Sequence, residues 1–358
     1  MKNLRFGLLG CGKIAIRHAD LLASGKIEGV ELSAVCDLNR DRSDDFAGRY
    51  NVKGFYTLHD IASSDDVDLL SVLTPSGLHA ENIKELATYG KPIVVEKPLA
   101  LKLSDADELI EACDRYGVKL FVVKQNRFNV PILKLRKALD SGRFGKLILG
   151  TVRIRWCRTQ EYYEEASWRG TWQYDGGVLT NQASHHIDLL VWMMGEVESV
   201  FAKTSRALAN IEAEDTAVVT LKFRNGAIGV IEATTATRPR DLEGSLSILG
   251  SKGSVVVGGF AANELQTWQF EHEIEDDASV FENHGTNPAG VPGYAHMAYY
   301  EHVVDCVRNN KEQLVDGLGG RRSLELISAI YESIETGKEI HLRFTPRLCR
   351  LGRAPGKE

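Results

Sequence analysis

The sequence predicts an α/β protein of two domains. The first is a parallel, doubly wound sheet, and the second is an α/β domain built on a large open, mostly antiparallel sheet. Three observations carry this. Short apolar runs alternate with helix-period segments over the first third of the chain, and strands interleaved with helices of that length form right-handed βαβ units in a parallel sheet. Between residues 197 and 257 strand-like runs follow one another with few helices between them, which reads as an antiparallel sheet with one free face. At 358 residues the chain is long for a single core, so two domains are expected.

The elements follow in order. Residues 5–9 read as a buried strand that runs into Gly10-Cys11-Gly12-Lys13-Ile14-Ala15, a G-x-G-x-x-A turn. Ile14, His18, Leu21 and Leu22 then fall at helical spacing. A second strand, 31–36, ends in Asp37. The next, 68–73, ends at Thr74-Pro75, and a helix over about 79–89 closes at Gly90. Strand 93–95 ends in Glu96-Lys97-Pro98, where the Pro98 bond is a candidate cis peptide. Ser104 followed by Asp107 resembles a capping box for a helix closing at Gly117. Strand 119–123 leads into Lys124-Gln125-Asn126-Arg127.

The pattern changes after Pro131: a short helix to about 141, a long strand over 146–158 and a helix over 177–194. Strands over 200–205, 215–223, 227–235, 244–249 and 254–257 follow, with Asn225-Gly226 as a hairpin turn. Helices over about 295–309 and 321–336 finish the fold. The domains expected are 1–125 and 126–344, with a loose polar tail at 345–358.

Composition excludes several function classes. A net charge of −6 argues against non-specific nucleic-acid binding, which needs a basic face. The six cysteines are scattered without a C-x-x-C pair, which argues against a disulfide framework or a zinc site. The N-terminus lacks the apolar core of a signal peptide, and no apolar run is long enough to cross a bilayer. A cytoplasmic enzyme without a membrane partner is the expectation.

Ligands of parallel sheets sit at the carboxyl ends of the strands. The turn glycines, Asp37, Thr74-Pro75, Glu96-Lys97 and the 124–127 segment all occupy those ends, which points to one shared site. Gly10 and Gly12 let the backbone approach a pyrophosphate at a helix N-terminus. Asp37 is suited to accept hydrogen bonds from both adenosine ribose hydroxyls, so NAD is favoured over NADP, although Arg40 and Arg42 lie just beyond. Lys97 at a strand end is placed to hold a substrate hydroxyl. In residues 176–188, Asn181, His185 and Asp188 are spaced i, i+4, i+7 and would share one helix face. The adjacent pair His185-His186 points about 100° apart on a helix, so no metal is expected and His186 reads as structural.

These motifs, in this order and to about Phe344, resemble the Gfo/Idh/MocA family of oxidoreductases. The resemblance implies an N-terminal Rossmann domain and a C-terminal α/β domain. It places the catalytic pair on Lys97 and His185. It implies cofactor contacts at Gly10, Gly12, Lys13, Ile14, Asp37 and Arg40, then at Thr74, Pro75, His79, Glu96 and Lys97, and finally at Asn126, Trp168 and Arg169. Many members place an aspartate four residues before the histidine, where this chain has Asn181, so a carboxylate proton relay is in doubt.

The stretches 124–127, 167–172, 180–186 and 233–239 resemble a bacterial subgroup that oxidises the 3-hydroxyl of UDP-N-acetylglucosaminuronic acid. That resemblance implies a homo-tetramer that holds NAD tightly and recycles it with 2-oxoglutarate, in lipopolysaccharide (bacterial surface polysaccharide) synthesis. Its substrate contacts would fall on Lys97, Arg127, Tyr163, Trp168, Arg169, Asn181, His185 and Arg238, with Arg158, Arg240, Tyr162 and Trp172 also in reach. Guanidinium forks match carboxylate and phosphate geometry. Two alternatives stay open: an NAD(P)-dependent enzyme for inositol or another sugar, and a non-catalytic NAD-binding regulator.

Overall fold

The computed structural model describes residues 2–290 and 293–342, so the expected tail at 345–358 lies outside the described residues. The first sheet contains β1 (Leu4–Leu9), β2 (Val30–Cys36), β3 (Lys53–Phe55), β4 (Leu69–Val72), β5 (Ile93–Val95) and β6 (Leu120–Val122). Its order is β3-β2-β1-β4-β5-β6, with every pair parallel. Helices α1 (Lys13–Ala23), α2 (Arg40–Tyr50), α3 (Leu58–Ser63), α4 (His79–Ala87) and α5 (Leu103–Arg115) connect the strands. The strand order reverses between β1 and β4, and the loops leaving those two strands open a crevice there. All four residues of β4 are buried, as a strand covered on both faces requires.

The second domain contains α6 (Val130–Asp140), β7 (Leu147–Arg155), α7 (Gln160–Glu164) and α8 (Ser184–Met194). They are followed by β8 (Val197–Ser205), β9 (Thr216–Phe223), β10 (Ile228–Thr234), β11 (Glu243–Gly250), β12 (Gly253–Gly258), β13 (Glu264–Phe270) and α9 (Val280–His284). The order is β13-β12-β11-β7-β10-β9-β8, closed at the last edge by β14 (Ile340–His341). The β7–β10 pair is parallel and the other pairs are antiparallel, so the mostly antiparallel sheet is observed. Along β9 the buried residues Ala217, Val219, Leu221 and Phe223 alternate with open ones, which leaves one free sheet face. Helices α8 and α11 (Gly317–Thr336) pack on the other face. Each large side chain buried there stabilises the fold by about 1.5–3 kcal/mol.

The chain returns to the first domain near its end. Tyr299, Tyr300 and Val303 of α10 (Tyr294–Arg308) join the core formed by Phe6, Leu8 and Ala15. A boundary at residue 125 therefore separates the sheets, but it does not separate the cores.

The structure departs from the sequence reading in three places. β3, β13 and β14, with α2, α3, α7 and α9, are additional elements. The capping box at Ser104 does not form, because α5 already begins at Leu103 with Lys102 at its N-cap, and Asp107 pairs with Arg321. The helix expected from 177 begins only at Ser184, and residues 179–183 are a run of turns. The Lys97–Pro98 bond is cis, as is Arg238–Pro239.

Candidate active site

The crevice is built first from the glycine turn. Gly10 has φ +99°, and a Cβ there would lie 2.9 Å from the Leu73 carbonyl, so only glycine fits. At Gly12, the N-cap of α1, a Cβ would meet nothing within 4 Å. That helix start carries neither a side-chain cap nor an acidic residue in its first turn. Its leading N–H groups and positive dipole end are therefore suited to a pyrophosphate. Lys13 reaches across to Glu165 at 2.9 Å, and Ile14 is partly exposed beside it. Asp37 lies at the same edge and accepts from the Cys11 and Asn39 backbone N–H groups, each at 2.9 Å. Arg40 lies over the Tyr56 ring at 4.5 Å. These residues fit a dinucleotide.

Glu96 and His79 turn inward, away from the role of direct ligand. His18 Nε2 donates to Glu96 Oε1 at 2.9 Å, and the Lys97 backbone N–H donates to Glu96 Oε2 at 2.9 Å. Burial pushes the Glu96 carboxyl up, but the His18 bond and the nearby cationic groups outweigh it and bring it down to about 2. The Tyr300 hydroxyl closes the chain on His18 Nδ1 at 2.5 Å. His18, Glu96 and buried His296 form a trio whose ligand atoms lie within 4.8 Å of one another. With His18 already bonded to Glu96, the trio works as a brace under Lys97. His79 is buried with Nδ1 2.8 Å from the Pro98 carbonyl and Nε2 2.8 Å from the Thr74 carbonyl. Its ring holds the Thr74-Pro75 and Lys97-Pro98 loops together.

Lys97 and His185 come together above this brace. The Lys97 Nζ donates to the Asn181 carbonyl at 2.8 Å. Burial pushes its ammonium below the usual lysine range, partly offset by Glu96 and Asp175. Burial, then the charges of Lys97 and Lys124, hold His185 well below the usual histidine value. It is therefore a neutral imidazole at neutral pH, the form a general base requires. Its Nε2 lies 3.4 Å from Gln125 Nε2. His185 Nδ1 and Gln125 Oε1 are buried with no hydrogen-bond partner among the described residues, which leaves both open to a ligand. His186 likewise has both ring nitrogens buried without a hydrogen-bond partner among the described residues; it packs edge-on against Trp156, and burial takes it down to about 4.

Asp188 does not face His185. Arg127 grips it with two parallel bonds of 2.8 and 2.9 Å while lying over the Trp192 ring. Lys124 Nζ is 3.7 Å from Asp188 and donates to Ser323 at 2.9 Å. Arg127 is thus buried and spends its Nε and Nη2 on Asp188, with Nη1 3.5 Å from the Leu314 carbonyl. Tyr163 is buried too, its hydroxyl 2.9 Å from Thr235 Oγ1. Arg238 folds back onto the carbonyls of Arg158, Thr235 and Thr237. Arg158 pairs with Asp241 at 3.0 Å. Arg169 stacks on Tyr162 at 4.1 Å and Trp168 at 5.3 Å and lies 3.7 Å from Glu165, while its buried Nε has no hydrogen-bond partner among the described residues. Arg169 also lines an open cleft of about 400 Å³ with Arg206 and Asn210, which does not include Lys97 or His185.

Asn181 sits in the turns before α8, so the single helix face proposed for Asn181, His185 and Asp188 does not exist. Its side-chain amide donates to the buried carboxylate of Asp175, a residue the sequence reading missed. The same turns are anchored by Glu214, which accepts from the Leu179 N–H at 3.0 Å and from the Tyr331 hydroxyl at 3.1 Å. A Cβ at Gly177 would come 2.2 Å from the Glu214 carbonyl oxygen, which explains the second glycine of the Gly176-Gly177 pair.

Comparison with known proteins shows the family. The model for the oxidoreductase family NAD-binding Rossmann fold (Gfo/Idh/MocA) matches residues 4–124, and that for the family's C-terminal α/β domain matches 136–342. The chain belongs to this family. As a Gfo/Idh/MocA oxidoreductase it uses NAD, bound by its Rossmann domain. It is similar to the WlbA dehydrogenase of Bordetella pertussis, solved in complex with NADH and UDP-GlcNAcA: TM-score 0.91 and 41% identity, covering 96% of this chain and 99% of that one. The WlbA dehydrogenase of Chromobacterium violaceum, solved with the same two ligands, gives 0.90 and 40% over 97% and 98%. A myo-inositol 2-dehydrogenase of Thermotoga maritima is 30% identical over 74% of this chain and 77% of its own.

Proposed function

We propose that the protein oxidises the C3 hydroxyl of UDP-N-acetylglucosaminuronate (UDP-GlcNAcA) to the 3-keto sugar with NAD. The observation that carries this is a buried Lys97 whose charge reaches a neutral His185 with a free Nδ1 among the described residues, in a chain 41% identical to a dehydrogenase solved with that sugar nucleotide. The bound cofactor supplies the hydride acceptor. His185 takes the hydroxyl proton as general base. Lys97, an ammonium held by the Asn181 carbonyl, orients the hydroxyl and stabilises the oxygen as it becomes negative. Arg169, with its unpartnered Nε and its aromatic neighbours, is the cation we assign to the anionic end of the substrate.

Val218 and Ile228 are exposed on the free face of the second sheet, beside the Arg155–Glu232–Glu243 ion pairs. That face is our candidate for the contact of a homo-tetramer. Among the described residues no helix is long and apolar enough to cross a membrane. The cytoplasm, lipopolysaccharide synthesis and recycling of NAD by 2-oxoglutarate complete the reading, and these rest on the resemblance of the motifs. Lys97→Ala and His185→Ala should each lower turnover of UDP-GlcNAcA by roughly 10²- to 10⁴-fold while NAD stays bound. Near-normal turnover in His185→Ala would remove that residue as the base.

A further inference from the structure

Asp175 is a buried carboxylate that the chemistry of Lys97 and His185 does not use. It is 3% exposed. One oxygen accepts from the Gly170 backbone N–H at 2.8 Å, and the other accepts from the Asn181 side-chain amide. Its charge reaches Lys97, where it favours the ammonium. An ionised carboxylate is an acceptor only, so the Asn181 carboxamide has to turn Nδ2 toward it. The two ends of an amide point apart, and Oδ1 is therefore directed away from Asp175. The backbone carbonyl of the same Asn181 holds the Lys97 Nζ at 2.8 Å. Asp175 thus sets the orientation of a group covalently tied to the grip on the lysine.

We propose that Asp175 is a positioning residue that locks the Asn181 carboxamide with Oδ1 offered as a hydrogen-bond acceptor to the sugar hydroxyl beside Lys97. The carboxylate missing from position 181 then acts from position 175, through an amide. A fixed acceptor beside the reacting hydroxyl orients its proton and disfavours poses in which the hydroxyl points away from His185. The inference rests on Lys97 and His185 being the catalytic pair, and it holds for whichever sugar they oxidise.

The test uses the full chain with bound NAD and three variants: Asp175→Asn, Asn181→Asp and the double exchange. In Asp175→Asn the new amide accepts from Gly170 but offers an N–H to Asn181, whose carboxamide flips and presents a donor to the sugar. We expect kcat/KM to fall on the order of 10²-fold with NAD affinity unchanged. Asn181→Asp brings two carboxylates together and should fall at least as far. The double exchange restores one amide and one carboxylate, with an acceptor again facing the sugar, and should recover to within roughly tenfold of the parent. The side-chain amide resonance of Asn181, followed by 15N NMR, should shift in Asp175→Asn, which reads the orientation without turnover. An Asp175→Asn variant within about threefold of the parent, an unshifted amide, or a double exchange no better than the worse single variant would each overturn the proposal. If the parent oxidises an inositol and leaves UDP-GlcNAcA untouched, the substrate assignment fails, and the same variants compared on inositol still decide the role of Asp175.

Discussion

Replacing Glu214 by Gln should make the protein more stable at alkaline pH and leave it unchanged in acid. Glu214 is buried behind the turns that carry Asn181, and burial pushes its carboxyl up to about 7 from an ordinary 4.5. Its Oε2 has no hydrogen-bond partner among the described residues. The folded state therefore holds the proton more tightly than the unfolded chain. Between pH 4.5 and about 7 the folded state binds more protons, so stability falls as pH rises through that window. Below the window this contribution is fully present, and above it the full cost of a buried charge applies. A shift of this size corresponds to about 3 kcal/mol. Gln is shaped like the protonated acid and can keep the bonds from Leu179 and Tyr331, so it removes the slope. The assay is the thermal midpoint of parent and variant from pH 4 to 8.5. At about 2–4 °C per kcal/mol for a domain of this size, the variant should lead by roughly 6–12 °C at pH 8. The two curves should meet below pH 4.5. Parallel curves across the whole range would refute the reasoning, because every other titrating group is common to both proteins.

Further outcomes follow from the same contacts. Arg127→Met leaves the buried Asp188 carboxylate with the more distant Lys124, and should cost roughly 3–5 kcal/mol in a urea titration; a loss below about 1 kcal/mol would mean that the buried pair does not hold the fold there. The pH profile of kcat/KM should show its acid limb below pH 6.5, because the imidazole of His185 is held below that value and activity is lost as it protonates. Its alkaline limb should lie below 10.5, because burial lowers the Lys97 ammonium and activity is lost as it deprotonates. An acid limb above 6.5 would exclude His185, as placed, as the base.

Most of the first domain was legible because its signals are local. A strand, two glycines and a helix lie within residues 4–23, and Gly10 is dictated by a positive φ that its neighbours impose. Asp37, Lys97 and His185 were legible for the same reason, each lying in a motif beside a strand end or helix start. What sequence spacing could not show was which polar groups meet across the fold. The Arg127–Asp188 and Lys97–Asn181 contacts join residues 61 and 84 positions apart. Nor could spacing show that Glu96 meets His18 or that His79 meets the Pro98 carbonyl. The helix start was misplaced because residues 177–183 are apolar and polar at helical intervals. They are held instead as turns by Glu214, Tyr331 and Asp175, three groups distant in sequence or hidden by their residue type. Asp175 had a weak signal, as the acidic residue just before Gly176-Gly177. β3 escaped because its Lys-Gly-Phe run has a single apolar side chain, and β13 because it is largely polar.

The most direct test is to mix the purified protein and NAD with UDP-GlcNAcA, UDP-GlcNAc and myo-inositol in turn, and to follow NADH together with the mass of the sugar product. The account predicts NADH and a product lighter by two hydrogens with UDP-GlcNAcA, far less with UDP-GlcNAc, which lacks the carboxylate, and none with myo-inositol. Equal rates with and without the carboxylate, or turnover of myo-inositol alone, would contradict it.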